Sequence, residues 1–303
     1  MMQFGFSEED FYNFPNYMIS QAADDEFHHD DGARIDKVFF SVTLKDTSRK
    51  NSLKIGDDTE GKFAYIILFG NNDDITQTID TEIIIGNNST LKMDVLCAGT
   101  SNSVVNHNIK LSIGKNSTVT FSNSILAGKS NDYSLEVNFL GEDSYLNLPT
   151  ILMAGDNEKI NLKSVINHNV PRCSSKQIVR SVVNGNGVSD FYGLIKVAQD
   201  AQKTQAEQVN NNILLCENSR ALSKPQLEIY ADDVKCSHGS TTGMLDKDAV
   251  FYMRSRGISL ATAQNLMIKA FIDEVSGQIE SEDFRRYLDY QTEVKLDTFK
   301  KEE

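Results

Sequence analysis

The chain has 303 residues, 40% hydrophobic and 24% charged, with 30 Lys+Arg against 43 Asp+Glu and a net charge of −13. That length can bury a sizeable core, as one large domain or two smaller ones. The acidic balance argues against a general nucleic-acid binder, which needs basic side chains to replace phosphate counterions, and against docking on anionic membranes.

No run of about 18 apolar residues offers a transmembrane helix. The opening MMQFGFSEEDFYNF is acidic and lacks an apolar segment, so it does not read as a secretory signal. The four cysteines, Cys97, Cys173, Cys216 and Cys236, form no CxxC pair. Together these features point to a cytoplasmic protein with free thiols.

Residues 1–34 form a short acidic N-terminal segment whose cluster Asp24, Asp25, Glu26, His28, His29, Asp30, Asp31 reads as a solvated loop, with metal ligation by the two histidines as the other reading. Residues 35–245 are rich in short alternating apolar runs and contain an internal repeat. Ile85-Gly86-Asn87-Asn88-Ser89-Thr90-Leu91 leads to Cys97-Ala98-Gly99, and Ile113-Gly114-Lys115-Asn116-Ser117-Thr118-Val119 to Leu126-Ala127-Gly128. Leu140-Gly141-Glu142-Asp143-Ser144-Tyr145-Leu146 leads in the same way to Met153-Ala154-Gly155. A period in the twenties marks a stacked solenoid. Apolar residues two apart, as in Leu91/Met93/Val95, mark strands, and the Gly-x-Asn/Asp-Ser elements mark turns. Each copy is therefore about one coil of a β-helix.

The alternation continues through Ile178–Val183, Phe191–Val197, Ile213–Leu215 and Leu227–Tyr230. Gly185-Asn186-Gly187 reads as a β-turn, His107 and His168 as polar turn residues in Asn-His-Asn triplets, and Cys97 as core. Cys173 is open. A solenoid needs covered ends, and the flanking segments are placed to supply them.

Residues 246–303 read as three helices. Asp246 caps the first and Gly257 ends it; Ser259 caps the second, with a stripe Leu260, Ala263, Met267, Phe271, Val275; Gly277 stops it and Ser281 starts the third. Lys300–Glu303 is expected to fray.

The residues that could carry chemistry are few. Cys236 and His238, two apart on a strand, share a face, and a thiolate beside an imidazole suits iron or an iron–sulfur cluster. The structural alternative is a buried small Cys and a satisfied His, since two ligands do not hold a metal. The sequence has no GxSxG element and no P-loop GxxxxGK[ST].

The stretch Lys224-Pro225-Gln226-Leu227-Glu228-Ile229-Tyr230-Ala231-Asp232-Asp233-Val234-Lys235-Cys236-Ser237-His238-Gly239-Ser240-Thr241-Thr242-Gly243 resembles the SufB/SufD family of iron–sulfur cluster assembly proteins, nearer the SufD type. The likeness continues in Phe251-Tyr252-Met253-Arg254-Ser255-Arg256-Gly257-Ile258 and Ala270-Phe271, and upstream in Phe191–Val197, Ala201–Thr204 and Asn212–Leu215. It implies a right-handed parallel β-helix with a C-terminal α-helical domain, mainly β.

It also implies a scaffold subunit of the SUF machinery, not an enzyme, that pairs with a SufB-like subunit and binds a SufC-type ABC ATPase. His238 maps onto a SufD histidine proposed to help build a transient cluster, and Cys236 is the second candidate. Cys216 is a further candidate ligand. Residues 246–275 become the ATPase docking surface, with Phe251, Tyr252, Arg254, Arg256 and Phe271 as contacts. Two departures stand out: the N-terminal helical region of the SufD type is almost absent, and Arg220 stands near the place where SufB members carry a cysteine. A homodimeric scaffold holding the cluster itself is the alternative, and a carbohydrate-active β-helix enzyme the remote one.

Overall fold

A computed structural model describes residues 17–20, 24–29, 34–43, 47–69, 75–98, 102–126 and 128–299. Gly99 and Ala127 of the repeat, and the tail end from Lys300, lie outside the described residues. Seventeen strands form two parallel sheets, each coil giving one strand to each. The first sheet is β1 (Tyr17–Ser20), β3 (Arg34–Thr43), β5 (Glu60–Phe69), β7 (Thr90–Ala98), β9 (Thr118–Ile125), β11 (Tyr145–Ala154), β13 (Ser174–Val183), β15 (Gln205–Leu214) and β17 (Lys235–Met244). The second is β2 (Asp24–His29), β4 (Thr47–Ile55), β6 (Thr76–Ile85), β8 (Val104–Ile113), β10 (Ser130–Phe139), β12 (Lys159–His168), β14 (Val188–Val197) and β16 (Arg220–Ile229). Three helices follow: α1 (Lys247–Ser255), α2 (Leu260–Ser276) and α3 (Glu282–Phe299).

The fold is a parallel β-solenoid, as the repeat predicts. Alternation puts Tyr133, Leu135, Val137 and Phe139 of β10 inside, and Val137 stacks in register on Leu111 of β8 and Ile166 of β12. One core runs between the sheets. The acidic cluster differs from expectation: Asp24–His29 is not a loop but strand β2, paired in parallel with β4.

The turns explain the repeat chemistry. Asp58, Asn88, Asn116, Asp143, Arg172 and Lys203 take left-handed φ between 53° and 62° at one turn of successive coils, and Asn157 does so at φ 57° in the turn after β11. Asn and Asp tolerate that conformation best, which is why they dominate the repeat. The next residue bridges coils: Ser117 Oγ donates to Gly86 O at 2.8 Å, and Ser144 Oγ to Gly114 O at 2.6 Å. Cys173 takes the serine's place, its Sγ donating to Gly141 O at 3.3 Å, so this cysteine is a turn residue. The Gly185-Asn186-Gly187 turn is also present, with Gly185 at φ +58°.

The two central histidines correct the turn reading. His107 on β8 and His168 on β12 are buried inside the solenoid. His107 Nε2 lies 3.1 Å from Thr81 Oγ1, and His168 Nε2 lies 2.9 Å from Ser175 Oγ while its ring stacks on Phe139. Desolvation lowers their pKa values to about 3 and about 4, so both are neutral core residues.

The helical tail does not cover the last coil. It lies along the outer flank of the first sheet, where Ile66, Leu96, Ile151, Met153, Ile178 and Val182 face outward and cluster with Ile268, Ile272, Val275, Phe284, Leu288 and Leu296. The reason is that strands such as β11 are apolar on both faces in their second half, so each needs a cover. In α2 the buried residues are Ala263, Ile268, Ile272 and Val275, so the stripe is rotated from the expected one, with Leu260 39% exposed. The seam is pinned by a buried ion pair of Lys295 with Glu158, which also accepts from Gly155 N at 2.7 Å. Arg180 pairs with Glu274 and sits 5.4 Å over the Phe271 ring.

The helix ends follow the expected signals. Asp246 accepts from the N–H groups of Asp248 and Ala249 at 2.9 and 3.3 Å, and Ser259 from Thr262 N at 3.2 Å. Gly257, at φ +87°, permits the paired bonds Ile258 N to Met253 O and Gly257 N to Arg254 O that close α1.

Candidate functional site at the open end of the solenoid

β17 and β16 are the last strands of their sheets, and each has an edge without a neighbouring strand. Leu222, Ile229 and Met244 are 47%, 40% and 53% exposed there. Unpaired edge groups and exposed apolar side chains at the end of a stack invite another chain.

Toward this end the interior turns polar. On β11 the inward residues are Leu146, Leu148, Thr150, Leu152 and Ala154; on β13 Ser175, Gln177, Val179, Ser181 and Val183; on β15 Ala206, Gln208, Asn210, Asn212 and Leu214. In register on β17 stand Cys236, His238, Ser240 and Thr242. Alternation gives all four the same inward direction.

Cys236 is half-buried and packs against the solenoid core. Burial raises its thiol pKa, and the backbone N–H of Ala206 opposes the rise in part. It is therefore a neutral thiol at pH 7 unless a cation arrives. His238 is exposed, and Ser240 Oγ donates to Ser223 Oγ across the coil at 2.8 Å. Among the described residues no three His, Cys, Asp or Glu side chains converge in a metal-holding group. One chain thus offers a thiol and an imidazole at an uncovered coil and needs more ligands from elsewhere.

The structure separates Cys216 from this pair. It follows β15, whose Leu214 pairs with Met244, whereas Cys236 pairs with Ala206 near the other end of the same strands. Eight strand residues span about 26 Å. Cys216 instead donates to Asn184 Oδ1 at 3.2 Å and lines a pocket of about 560 Å3 between the turns and α2, with Asp156, Glu217, Leu260 and Gln264.

The expected docking residues fall into two groups. Phe251 and Tyr252 of α1 are 71% and 61% exposed, Arg254 and Arg256 are exposed too, and no α1 residue is buried. Arg256 donates to Tyr252 Oη at 3.0 Å and lies 5.2 Å over its ring. Phe271 is half-buried against the solenoid flank. An apolar groove of about 340 Å3, lined by Leu214, Leu215, Met244, Val250 and Phe251, lies between α1 and the end of the first sheet. Only Leu245 and Asp246 separate β17 from α1.

Sequence reasoning missed the amide pair Gln177–Gln208, bonded at 2.8 Å inside the last coils, and the Lys295–Glu158 pair. Gln177 and Gln208 occupy inward positions of alternating strands, so a polar residue at an apolar phase was the available signal.

The SUF system FeS cluster assembly, SufBD core domain matches residues 42–271. The chain belongs to the SufB/SufD family of iron–sulfur cluster assembly proteins. It is 40% identical over 169 residues to iron-sulfur cluster assembly protein SufD of Escherichia coli K12, covering 55% of this chain and 40% of that protein. It is 35% identical over 159 residues to Protein ABCI7, chloroplastic, of Arabidopsis thaliana, covering 52% and 34%. With SufD of Bacillus subtilis it is 24% identical over 249 residues, covering 80% and 56%. The chain thus spans well under two thirds of these relatives. No helix among the described residues is long and apolar enough to cross a membrane.

Proposed function

We propose that this chain is a SufD-like scaffold subunit of the SUF machinery, cytoplasmic and not itself a catalyst, which receives a nascent iron–sulfur cluster as cargo. Its open coil pairs with a SufB-like subunit, and α1 docks a SufC-type ABC ATPase. The observation that carries the reading is Cys236 beside His238 on an edge strand, with no metal-holding group of three His, Cys, Asp or Glu among the described residues. A soft thiolate and an imidazole ligate iron, whose sulfide bridges to other irons, and the partner supplies the remaining ligands. The connection of β17 to α1 through two residues lets ATPase closure act on the strand that bears the site.

Removing His238 or Cys236 tests it. His238→Ala and Cys236→Ala are expected to lower cluster assembly in cells at least tenfold while the purified chains melt as wild type. Wild-type assembly in both variants would refute the site.

The edges of β17 and β16, the last strands of their sheets, also favour a second reading within the family: a two-fold pair of this chain joined there would supply two Cys236 and two His238, four candidate ligands. That homodimeric scaffold predicts a thiol-dependent cluster after anaerobic reconstitution of the chain alone. The family assignment sets aside the carbohydrate-enzyme alternative.

A further inference from the structure

Behind His238 the interior carries an amide ladder. Gln177 on β13, Gln208 on β15 and His238 on β17 are successive rungs of one parallel register, all inward-facing. Gln208 Nε2 donates to Gln177 Oε1 at 2.8 Å. Both glutamines are fully buried. Gln208 Oε1 is buried without a partner. A buried acceptor left so costs about 1–3 kcal/mol, and the next rung, about 4.8 Å away by strand spacing, is the histidine.

The opposite sheet is cut away for this amide. At Gly193 of β14 a Cβ would stand 2.4 Å from Gln208 Nε2 and 2.5 Å from the Phe191 ring. The lumen is therefore shaped around Gln208, and in the coil beyond it His238 and Ser240 are exposed. The inward side chains flanking the imidazole on β17, Cys236 and Ser240, carry no charge at neutral pH.

We propose that Gln208 is a positioning residue for His238: its Oε1 accepts the N–H of the imidazole, which extends the ladder by one rung. A Gln amide already donating to Gln177 has its carbonyl free for a donor, and a neutral imidazole has one N–H to give. The bond fixes which ring nitrogen carries the proton and leaves the lone pair of the other facing the open end, ready for a metal or a proton. This rests on the role proposed for His238, but the bond itself is measurable without any cluster.

The test is nitrogen NMR of the full-length chain labelled at histidine, which reads the tautomer of His238 directly. The wild type is expected to show one dominant tautomer. Gln208→Met, which removes the acceptor, is expected to give the averaged shifts of a free imidazole, and Gln208→Glu, which keeps an acceptor, to restore a single form. Gln177→Met breaks the ladder one rung further in and controls for loosened packing; it is expected to leave His238 near wild type. Identical His238 shifts in wild type and Gln208→Met would overturn the proposal, as would an equal change in Gln177→Met. If that happens while His238→Ala still abolishes assembly, the scaffold reading survives and only the positioning role falls. If the NMR result holds and His238→Ala assembles clusters normally, the bond stands and the scaffold site falls.

Discussion

Asp94 and Lys295 show how single residues tune the seam between solenoid and tail. Asp94 faces outward from β7, bonded to Ser122 and close to Glu280 and Lys92. Burial, opposed by the Ser122 bond and reinforced by Glu280, raises its pKa from 3.8 to about 6. The folded state therefore binds this proton more tightly than the unfolded one. Its contribution is greatest below about pH 4 and is lost as the pH rises through about 6. Asp94→Asn is expected to raise stability at pH 8 by about 1 kcal/mol, allowing for partial exposure, and to gain nothing at pH 4; melts at both pH values check it.

The Lys295–Glu158 pair is buried on both sides. Glu158→Gln removes the buried carboxylate paired with the Lys295 ammonium and is expected to cost up to about 3–5 kcal/mol. Replacing both with apolar residues is expected to cost less, as paired thermal melts can show. Neither group was legible in sequence, because ion pairs 137 positions apart have no local signal. His107 and His168 were misread for a related reason: Asn-His-Asn looks like a turn until strand phase puts the His inside and both Asn outside.

At the scale of elements, the tail docks by apolar burial and α1 does not. Phe284 is fully buried between α3 and the solenoid flank. Phe284→Ala is expected to cost about 3–5 kcal/mol and to speed amide exchange in α2 and α3 while β8 to β14 stay protected. The double variant Phe251→Ala/Tyr252→Ala is expected to leave the melting temperature unchanged, since both side chains are exposed.

Helix limits were readable because caps are local chemistry: Asp246, Gly257, Ser259 and Ser281 all act as their residue types suggest. The docking side of the tail was readable in principle from Ile151-Leu152-Met153-Ala154, an unbroken apolar run where a strand solvated on one face would alternate. The α2 stripe came out rotated because its Leu260 and Met267 positions are not the ones that the flank covers.

For the whole molecule, the repeat determined the architecture. Three copies of a turn motif were enough to define a solenoid, since each coil can only stack on its neighbours. The open last coil was not legible, because the tail that follows it in sequence was the natural cover. The likeness around Lys224–Gly243 pointed to the same two strands that the fold leaves exposed.

The central claim is that this open end and α1 bind two different partners, and the direct measurement is native mass spectrometry of the tagged chain purified anaerobically from cells. The predicted result is a complex with a SufB-like subunit and a SufC-type ATPase. In it, Leu222→Glu/Ile229→Glu loses the SufB-like chain alone and Phe251→Ala/Tyr252→Ala loses the ATPase alone. A wild-type chain that flies as a bare monomer, or a complex indifferent to both variants, would contradict the account.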